Sequence, residues 1–318
     1  MFMFLKKPKF WDETQITFLS ILLFPFTIPL IVNNFLSKLF LKPKPKNIFT
    51  ICVGNIYIGG TGKTPLTIKL YQIIKSINNK VVTAKKFSKN HLDEIKLLEK
   101  KSNLLTDGSR MKIIRAAINK KIKTIIFDDG LQDRSINYNL KIVCFDINKW
   151  IGNGQLLPSG PLREKISSLK KYDCVFLKNS KDKNKIYYEK IKKINNKIKI
   201  FNTKYKIVNL NEFNLKKKYV IFSGIANSKD FLDILQMSKF NIIKSFDFPD
   251  HYNYKSSQIR KIIDYAKFKK AEVITTEKDF VKISKIFINK IKCIKIDVFI
   301  DESKKLKNFL KKKLNEKI

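Results

Sequence analysis

Five short apolar runs, at positions 48–53, 81–84, 124–127, 141–145 and 174–177, alternate with longer stretches whose apolar residues recur at helical spacing. That alternation predicts an α/β fold built on a parallel sheet. Positions 202–218 break the pattern, being rich in Asn and Lys with only short β-like pieces. Two further strand-like runs follow, at 219–222 and 271–275. The pattern divides the chain into three parts. Residues 1–46 form an N-terminal helical segment and linker, 47–205 a large domain, and 206–318 a smaller α/β domain that contributes to a substrate cleft. The tail, 304–318, reads as a basic helix, solvated or facing a membrane.

The N-terminal segment breaks the two-period rule. Residues 16–32 read ITFLSILLFPFTIPLIV and carry no charge. A run of about 17 apolar residues sits at the lower limit for a spanning helix, and Pro25 and Pro29 interrupt helical hydrogen bonding inside it. Lys6, Lys7 and Lys9 precede it, and Lys38, Lys42, Lys44 and Lys46 follow, so the flanking charge gives no orientation. The run lacks the small-residue cleavage site of a secretory signal. Two readings remain: a buried core helix, or a helix or helical hairpin dipping into one leaflet with its lysines on lipid phosphates. The second is preferred, with 42–46 (Lys-Pro-Lys-Pro-Lys) as a stiff linker.

Composition adjusts this picture only slightly. Lys and Arg number 66 against 27 Asp and Glu, a formal net charge of +39. Such an excess suits phosphate-rich partners or an anionic membrane surface, but the lysines are spread along a chain rich in Lys, Asn and Ile rather than gathered in one arm. No nucleic-acid-reading motif accompanies them. The preferred partners are therefore anionic lipids, with no nucleic acid and no obligate protein partner. The four cysteines, Cys52, Cys144, Cys174 and Cys293, each lie in a strand-like run without metal-ligand spacing, and read as buried thiols in a reducing compartment.

The chemistry starts at the end of the first strand-like run. Four of the chain's 10 glycines fall within positions 54–62, and the stretch Gly59-Gly60-Thr61-Gly62-Lys63-Thr64-Pro65 opens a helical pattern. Strand, Gly-rich turn and helix is the setting of a phosphate-binding loop. Glycines let backbone N–H groups approach phosphates, the helix N-terminus adds partial positive charge, Lys63 reaches the β/γ-phosphates, and Thr64 ligates Mg²⁺. The first position of the usual pattern is Tyr57 rather than Gly. A second apolar run ends in Asp128-Asp129-Gly130, which delivers carboxylates to the sheet's C-terminal edge. If the strand geometry continues through both, the two carboxylates point in different directions. Either is a candidate metal ligand, the other organising the surrounding contacts. These parts predict a Mg-ATP-dependent phosphotransferase.

The motifs together resemble the tetraacyldisaccharide 4′-kinase family of lipid A biosynthesis. The resemblance rests on Gly-Gly-Thr-Gly-Lys-Thr-Pro and on Asp128-Asp129-Gly130-Leu131-Gln132. Leu157-Pro158-Ser159-Gly160-Pro161-Leu162-Arg163-Glu164 is similar to the family's LPxGPLRE segment, and Phe222-Ser223-Gly224-Ile225-Ala226-Asn227 to its (F/C)xGIAN turn. Phe248-Pro249-Asp250-His251-Tyr252-Asn253-Tyr254 is similar to FxDHxxY, and Thr276-Glu277-Lys278-Asp279 to TEKD. The order is the family's, and its tolerance of a non-glycine at the Tyr57 position fits as well. The resemblance implies transfer of the ATP γ-phosphate to the 4′-hydroxyl of a tetraacylated glucosamine disaccharide 1-phosphate. It also implies a peripheral or monotopic enzyme on the cytosolic face of the bacterial inner membrane. The family's general base is an Asp in a Gly-Asp-Glu-Pro segment. The matching stretch is Leu92-Asp93-Glu94-Ile95, without the Gly and Pro, and Lys85-Lys86-Phe87 stands in place of the family's Ser-Arg-Gly-Tyr. By this carry-over Asp93 is the base and His251 supports it. Arg163 is a candidate for substrate or phosphate contact, or for an ion pair with Glu164. His91 and Asp133 take no role from the family; His91 reads as a loop residue.

Two rivals belong to other classes. The first is another membrane-associated P-loop NTPase, a GTPase or a membrane ATPase; a GTPase would select guanine with Asn/Thr-Lys-x-Asp, whereas Lys278 directly precedes Asp279. A nucleic-acid-binding protein is suggested by charge alone.

Overall fold

A computed structural model describes residues 7–39, 44–78, 80–133, 135–178 and 184–316. Positions 42 and 43 of the expected linker lie outside the described residues. In chain order the elements are α1 (Phe18–Leu23), α2 (Ile28–Leu39), β1 (Phe49–Gly54), α3 (Lys63–Lys75), β2 (Val81–Lys86), α4 (Leu92–Lys101), β3 (Leu104–Asp107), α5 (Arg110–Asn119), β4 (Thr124–Asp128), β5 (Leu140–Asp146), β6 (Cys174–Lys178), α6 (Asn184–Ile194) and β7 (Lys199–Ile207). They continue with β8 (Lys218–Ser223), α7 (Ser228–Met237), β9 (Asn241–Asp247), α8 (Ser256–Phe268), β10 (Ala271–Thr276), α9 (Glu277–Phe280), α10 (Lys285–Ile288), β11 (Ile291–Ile294), β12 (Ile296–Ile300) and α11 (Ser303–Asn315).

The chain forms two compact units. Among the described residues the larger comprises those within 7–87, 101–204 and 299–316, and the smaller those within 88–100 and 205–298. The segment 88–100, which carries α4, therefore groups with the second half of the chain although β2 and β3 on either side of it pair in the large sheet.

The large sheet has the order β12-β7-β6-β5-β1-β4-β2-β3. From β7 to β3 every pairing is parallel. Strands β1, β4 and β6 are buried along their whole length, as a parallel sheet covered on both faces requires. The chain leaves β1 toward β2, β3 and β4 on one side and turns to β5, β6 and β7 on the other. The loops after β1 and β4 thus lie where the winding reverses, at the carboxyl edge where open α/β sheets bind ligands. All five anticipated strands of this sheet are present, and β3, β7 and β12 join them unannounced. The expected break at 202–218 is a correction in part: β7 runs through to Ile207, paired with β6 over Lys199–Thr203. Its Asn and Lys content hid a strand whose pairing partner, not its propensity, fixes it.

The smaller unit holds a four-stranded parallel sheet, β11-β10-β8-β9. One face packs against α8 through Val220, Phe222, Ile259, Ile263 and Val273; the other packs through Tyr219, Ile221, Phe231, Leu235 and Ile274, with α7.

The N-terminal segment is not a core helix. Thr17 caps α1, Pro25 sits in a 3₁₀ turn over Phe24–Thr27, and Pro29 lies in the first turn of α2, so each proline falls where its missing N–H costs little. Phe18–Leu36 is a 19-residue helical, apolar stretch by length and composition. Its outward residues are large and bare, Phe18 at 77% and Phe26 at 67% exposure. Its two fully buried residues are polar, Ser20 and Thr27, while Leu30 and Ile31 pack partly buried against Tyr57, Leu156 and Leu162. This leaves an apolar face toward the surroundings.

Candidate active site

The larger unit assembles the phosphate loop from three chain segments. Gly62 adopts φ +84° at the N-cap of α3, a left-handed conformation that favours glycine, and aims the first helical amides into the loop. Asn55 bridges the loop from inside, its Nδ2 donating to the carbonyls of Tyr57 (2.5 Å) and Gly59 (3.2 Å) and to Thr61 Oγ1 (3.1 Å). The segment 155–163 straps the loop: Ile58 N–H donates to Pro161 O (2.8 Å) and Arg163 N–H to Ile56 O (2.7 Å). This explains the Leu-Pro-Ser-Gly-Pro-Leu-Arg-Glu motif as support as much as chemistry. Gly54 must stay small, since a Cβ there would lie 2.5 Å from Leu131 Cγ.

Tyr57, in the position usually held by glycine, is 1% exposed and packs with Leu156 and Leu162. Its hydroxyl donates to Asp12 and accepts from Lys7, tying the loop to the start of the chain. Further ties run from the strap to the N-terminal helices. Ser159 Oγ donates to Ser20 O (2.6 Å), Asn153 Nδ2 to Ser20 Oγ (2.9 Å), and Asn34 Nδ2 to Arg163 O (3.0 Å).

The predicted ligands of this unit meet. Thr64 Oγ1 donates to Asp128 Oδ2 at 2.9 Å. Lys63 Nζ lies 3.6 Å from Asp129 Oδ2. Arg163 Nη1 lies 3.2 Å from the same oxygen, so its partner is Asp129 rather than Glu164. Glu164 instead accepts from Gln132 Nε2 (2.9 Å) and Tyr172 OH (2.8 Å). The two aspartates diverge, though not by strand alternation, because the strand ends at Asp128. Asp128 is buried, whereas Asp129 takes φ +65° beyond the strand end and faces the cations. Burial works against the charge on Asp129, yet Lys63 and Arg163 hold its carboxyl well below the usual range. Gly59, Gly60 and Thr61 complete the loop, with Thr61 N–H closing on Gly59 O at 3.0 Å.

Sequence reasoning missed Lys85. Its Nζ sits 2.7 Å from Asp128 Oδ2, with both side chains almost fully buried. A lysine at an inward position near the end of a strand in this sheet was the available signal. Asp133, given no role, pairs with Arg110, whose Nη2 also holds Asp129 O at 2.9 Å.

The smaller unit assembles a second constellation. The motif Ser-Gly-Ile-Ala-Asn follows β8, Phe-Pro-Asp-His follows β9, and Thr-Glu-Lys-Asp follows β10, so all three lie at the carboxyl ends of parallel strands. His251 Nδ1 lies 2.9 and 3.0 Å from the two oxygens of Asp93 at the start of α4. Lys278 and Lys282 are each 3.7 Å from Asp93 Oδ2. Burial opposes the charge of Asp93, but the His251 hydrogen bond and the Lys278 charge hold its carboxyl well below the usual range. Asp279, fully buried, accepts from Gly224 N–H (3.0 Å), Tyr254 OH (2.8 Å) and Thr276 Oγ1 (2.8 Å), and pairs with Lys282 (2.7 Å). His91 is not an isolated loop residue. It sits in a 3₁₀ turn with its ring edge-on to His251, centroids 4.7 Å apart.

Three of the four cysteines are buried free thiols and Cys293 is only partly buried, a partial correction to the expectation of four buried ones. It lies on β11, at the border of the smaller sheet.

Comparison with known proteins gives a consistent result. Residues 17–315 match the family described as tetraacyldisaccharide-1-P 4′-kinase. A tetraacyldisaccharide 4′-kinase of Pelagibacter ubique (strain HTCC1062) is 45% identical over 315 residues, covering 98% of this chain and 99% of that one. One from Rickettsia canadensis (strain McKiel) is 31% identical over 328 residues, covering 98% and 97%. A crystal structure of LpxK from Aquifex aeolicus in complex with ATP has the same fold, with a TM-score of 0.69 at 22% identity, covering 93% of this chain and 99% of that one.

Proposed function

The chain belongs to the tetraacyldisaccharide-1-P 4′-kinase family, and from that premise we propose that it transfers the γ-phosphate of ATP to the 4′-hydroxyl of a tetraacylated glucosamine disaccharide 1-phosphate, giving the bis-phosphorylated lipid A precursor. The observation that carries the reading is the Thr64–Asp128 hydrogen bond at the mouth of a phosphate loop, with Lys63 beside it. In this reading Lys63 and the amides of 59–64 hold the β- and γ-phosphates, and Arg163 adds a guanidinium for phosphate or substrate.

Thr64 Oγ1 and Asp128 Oδ2 are hard oxygen donors 2.9 Å apart, a set that suits Mg²⁺. These two, with Asp129, would hold it, and the ion when bound neutralises charge on the transferring phosphate. Lys85 offsets the carboxylate charge on the inner side of Asp128.

Asp93 receives the acceptor hydroxyl's proton and His251 orients it. A carboxylate held at low pKa is a weak base at rest, so Asp93 orients the hydroxyl first and takes the proton late. That suits a loose transition state, where positioning and charge neutralisation outweigh base strength.

The exposed apolar face of Phe18–Leu36 supports a monotopic seat in the cytosolic leaflet of the inner membrane, where anionic lipids meet the chain's excess lysines. The test is transfer of labelled γ-phosphate to a lipid disaccharide 1-phosphate acceptor. Label in the lipid with the wild type, and about 10³-fold slower labelling with Lys63→Ala, is expected. Absence of labelled lipid with the wild type, or equal competition by GTP, overturns the reading.

A further inference from the structure

We propose that His91, Glu94 and His251 form a binding site for a zinc-class divalent cation. The three residues take no ligand role in the phosphate-transfer reading, yet one ligand atom from each lies within 4.8 Å of the others. His91 Nδ1 is 3.7 Å from Glu94 Oε2, and His251 Nε2 is 4.0 Å from Glu94 Oε1. Donors around tetrahedral zinc stand about 3.4 Å apart, from bond lengths of about 2.0–2.1 Å. The separations are thus within small side-chain adjustments of a closed site.

Two local features preorganise it. His91 and Glu94 are three residues apart where a 3₁₀ turn runs into α4, so both project from one side of that start. His251 has its Nδ1 engaged by Asp93, which leaves Nε2 as the ligating nitrogen. A carboxylate on one ring nitrogen and a metal on the other is the arrangement that orients metal-bound histidines in general.

Charge and ligand type select the ion. Asp93, Glu94, Asp250 and Asp279 face Lys278 and Lys282 within this cluster, so it is locally anionic in a strongly cationic chain. Lys278 Nζ is 3.5 Å from His251 Nε2, but its shortest partner is Asp250 at 2.7 Å, so a metal entering leaves the ammonium paired. Two imidazoles and one carboxylate favour zinc, cobalt or nickel over magnesium and calcium, which prefer oxygen. Water completes the coordination.

A filled site fixes His251 as the Nδ1–H donor to Asp93 and sets positive charge beside that carboxylate. Transfer then slows, a consequence that rests on the assignment of Asp93 as proton acceptor, whereas binding itself does not.

The experiment uses the full chain without nucleotide. Zn²⁺ is titrated against a chromophoric chelator, and Co²⁺ is followed by its d–d absorption. Expected are one zinc equivalent that millimolar Mg²⁺ does not displace, tetrahedral-type cobalt bands, and a loss of affinity of at least about 100-fold in His91→Ala. That variant keeps its melting temperature and its zinc-free transfer rate. With free zinc buffered, transfer slows in the wild type and not in His91→Ala. Affinity unchanged in His91→Ala, or absent cobalt bands in the wild type, overturns the site. Failure of zinc-free wild-type transfer would instead overturn the kinase reading, so the two are separable.

Discussion

The amide of Gly224 donates to the carboxylate of Asp279 at 3.0 Å, joining the turn after β8 to the helix after β10. The same carboxylate takes the hydroxyls of Tyr254 and Thr276 and the ammonium of Lys282. Three sequence motifs separated by dozens of residues therefore close on one buried anion.

Because that anion is satisfied on every side, removing it leaves Lys282 and three donors without their acceptor. Asp279→Ala is expected to destabilise the smaller unit by about 3–5 kcal/mol. Denaturant unfolding followed in that unit checks it, and a shift below about 1 kcal/mol would show that the network is not what holds the turn.

In the proposed reaction Lys63 and Asp93 differ in what they do for the transition state. Lys63→Ala removes charge neutralisation and is expected to lower the transfer rate by about 10³-fold. Asp93→Ala removes orientation and late proton acceptance, with a smaller loss of about 10²-fold. Steady-state rates on a lipid disaccharide acceptor decide it. Equal, small losses in both variants would sink the assignment.

The depressed Asp93 carboxyl has a stability signature with a definite sign. A group whose folded pKa lies below its unfolded value, about 3.9 for Asp, stabilises fully above that value and loses the contribution as pH falls below it. The Asp93 part of the stability difference between wild type and Asp93→Asn should be lost as pH falls below about 4. Chemical unfolding across that range measures it.

The bare face of the N-terminal helices predicts a lipid effect without a folding effect. Phe18, Ile21, Leu22 and Phe26 are largely exposed. Replacing all four with Ser should cut partitioning to anionic vesicles by at least about 100-fold, at about 1.5 kcal/mol per buried side chain. The melting temperature in the absence of lipid should hold. Sedimentation with vesicles gives the partitioning, and unchanged binding would remove these residues from the membrane contact.

Thiol reactivity separates the cysteines. Burial pushes the Cys144 thiol up to about 12, with Lys63 opposing, and Cys52 and Cys174 are likewise buried and raised. Native protein at about pH 8 should take iodoacetamide at Cys293 only, and all 4 cysteines after denaturation. Mass spectrometry of the labelled chain reads the outcome.

The sequence by itself determined five strands of the large sheet, the glycine-rich loop and the Asp128-Asp129 pair at a strand end. All of these are local: an apolar run buried on both faces, a glycine at positive φ, and an aspartate at a strand end are each legible within a dozen residues. It also determined that residues 16–32 are apolar, but not which way they face. Only the packing of Ser20, Thr27, Leu30 and Ile31 inward decided which apolar residues stay bare. The tertiary structure alone decided that Lys85 meets Asp128, that Tyr57 is a tie to Asp12, and that α4 groups with strands more than a hundred residues away. It alone also put His91 beside His251, 160 positions apart in the chain. Contacts between distant segments are set by how sheets and helices close on each other, and neither period nor composition records them.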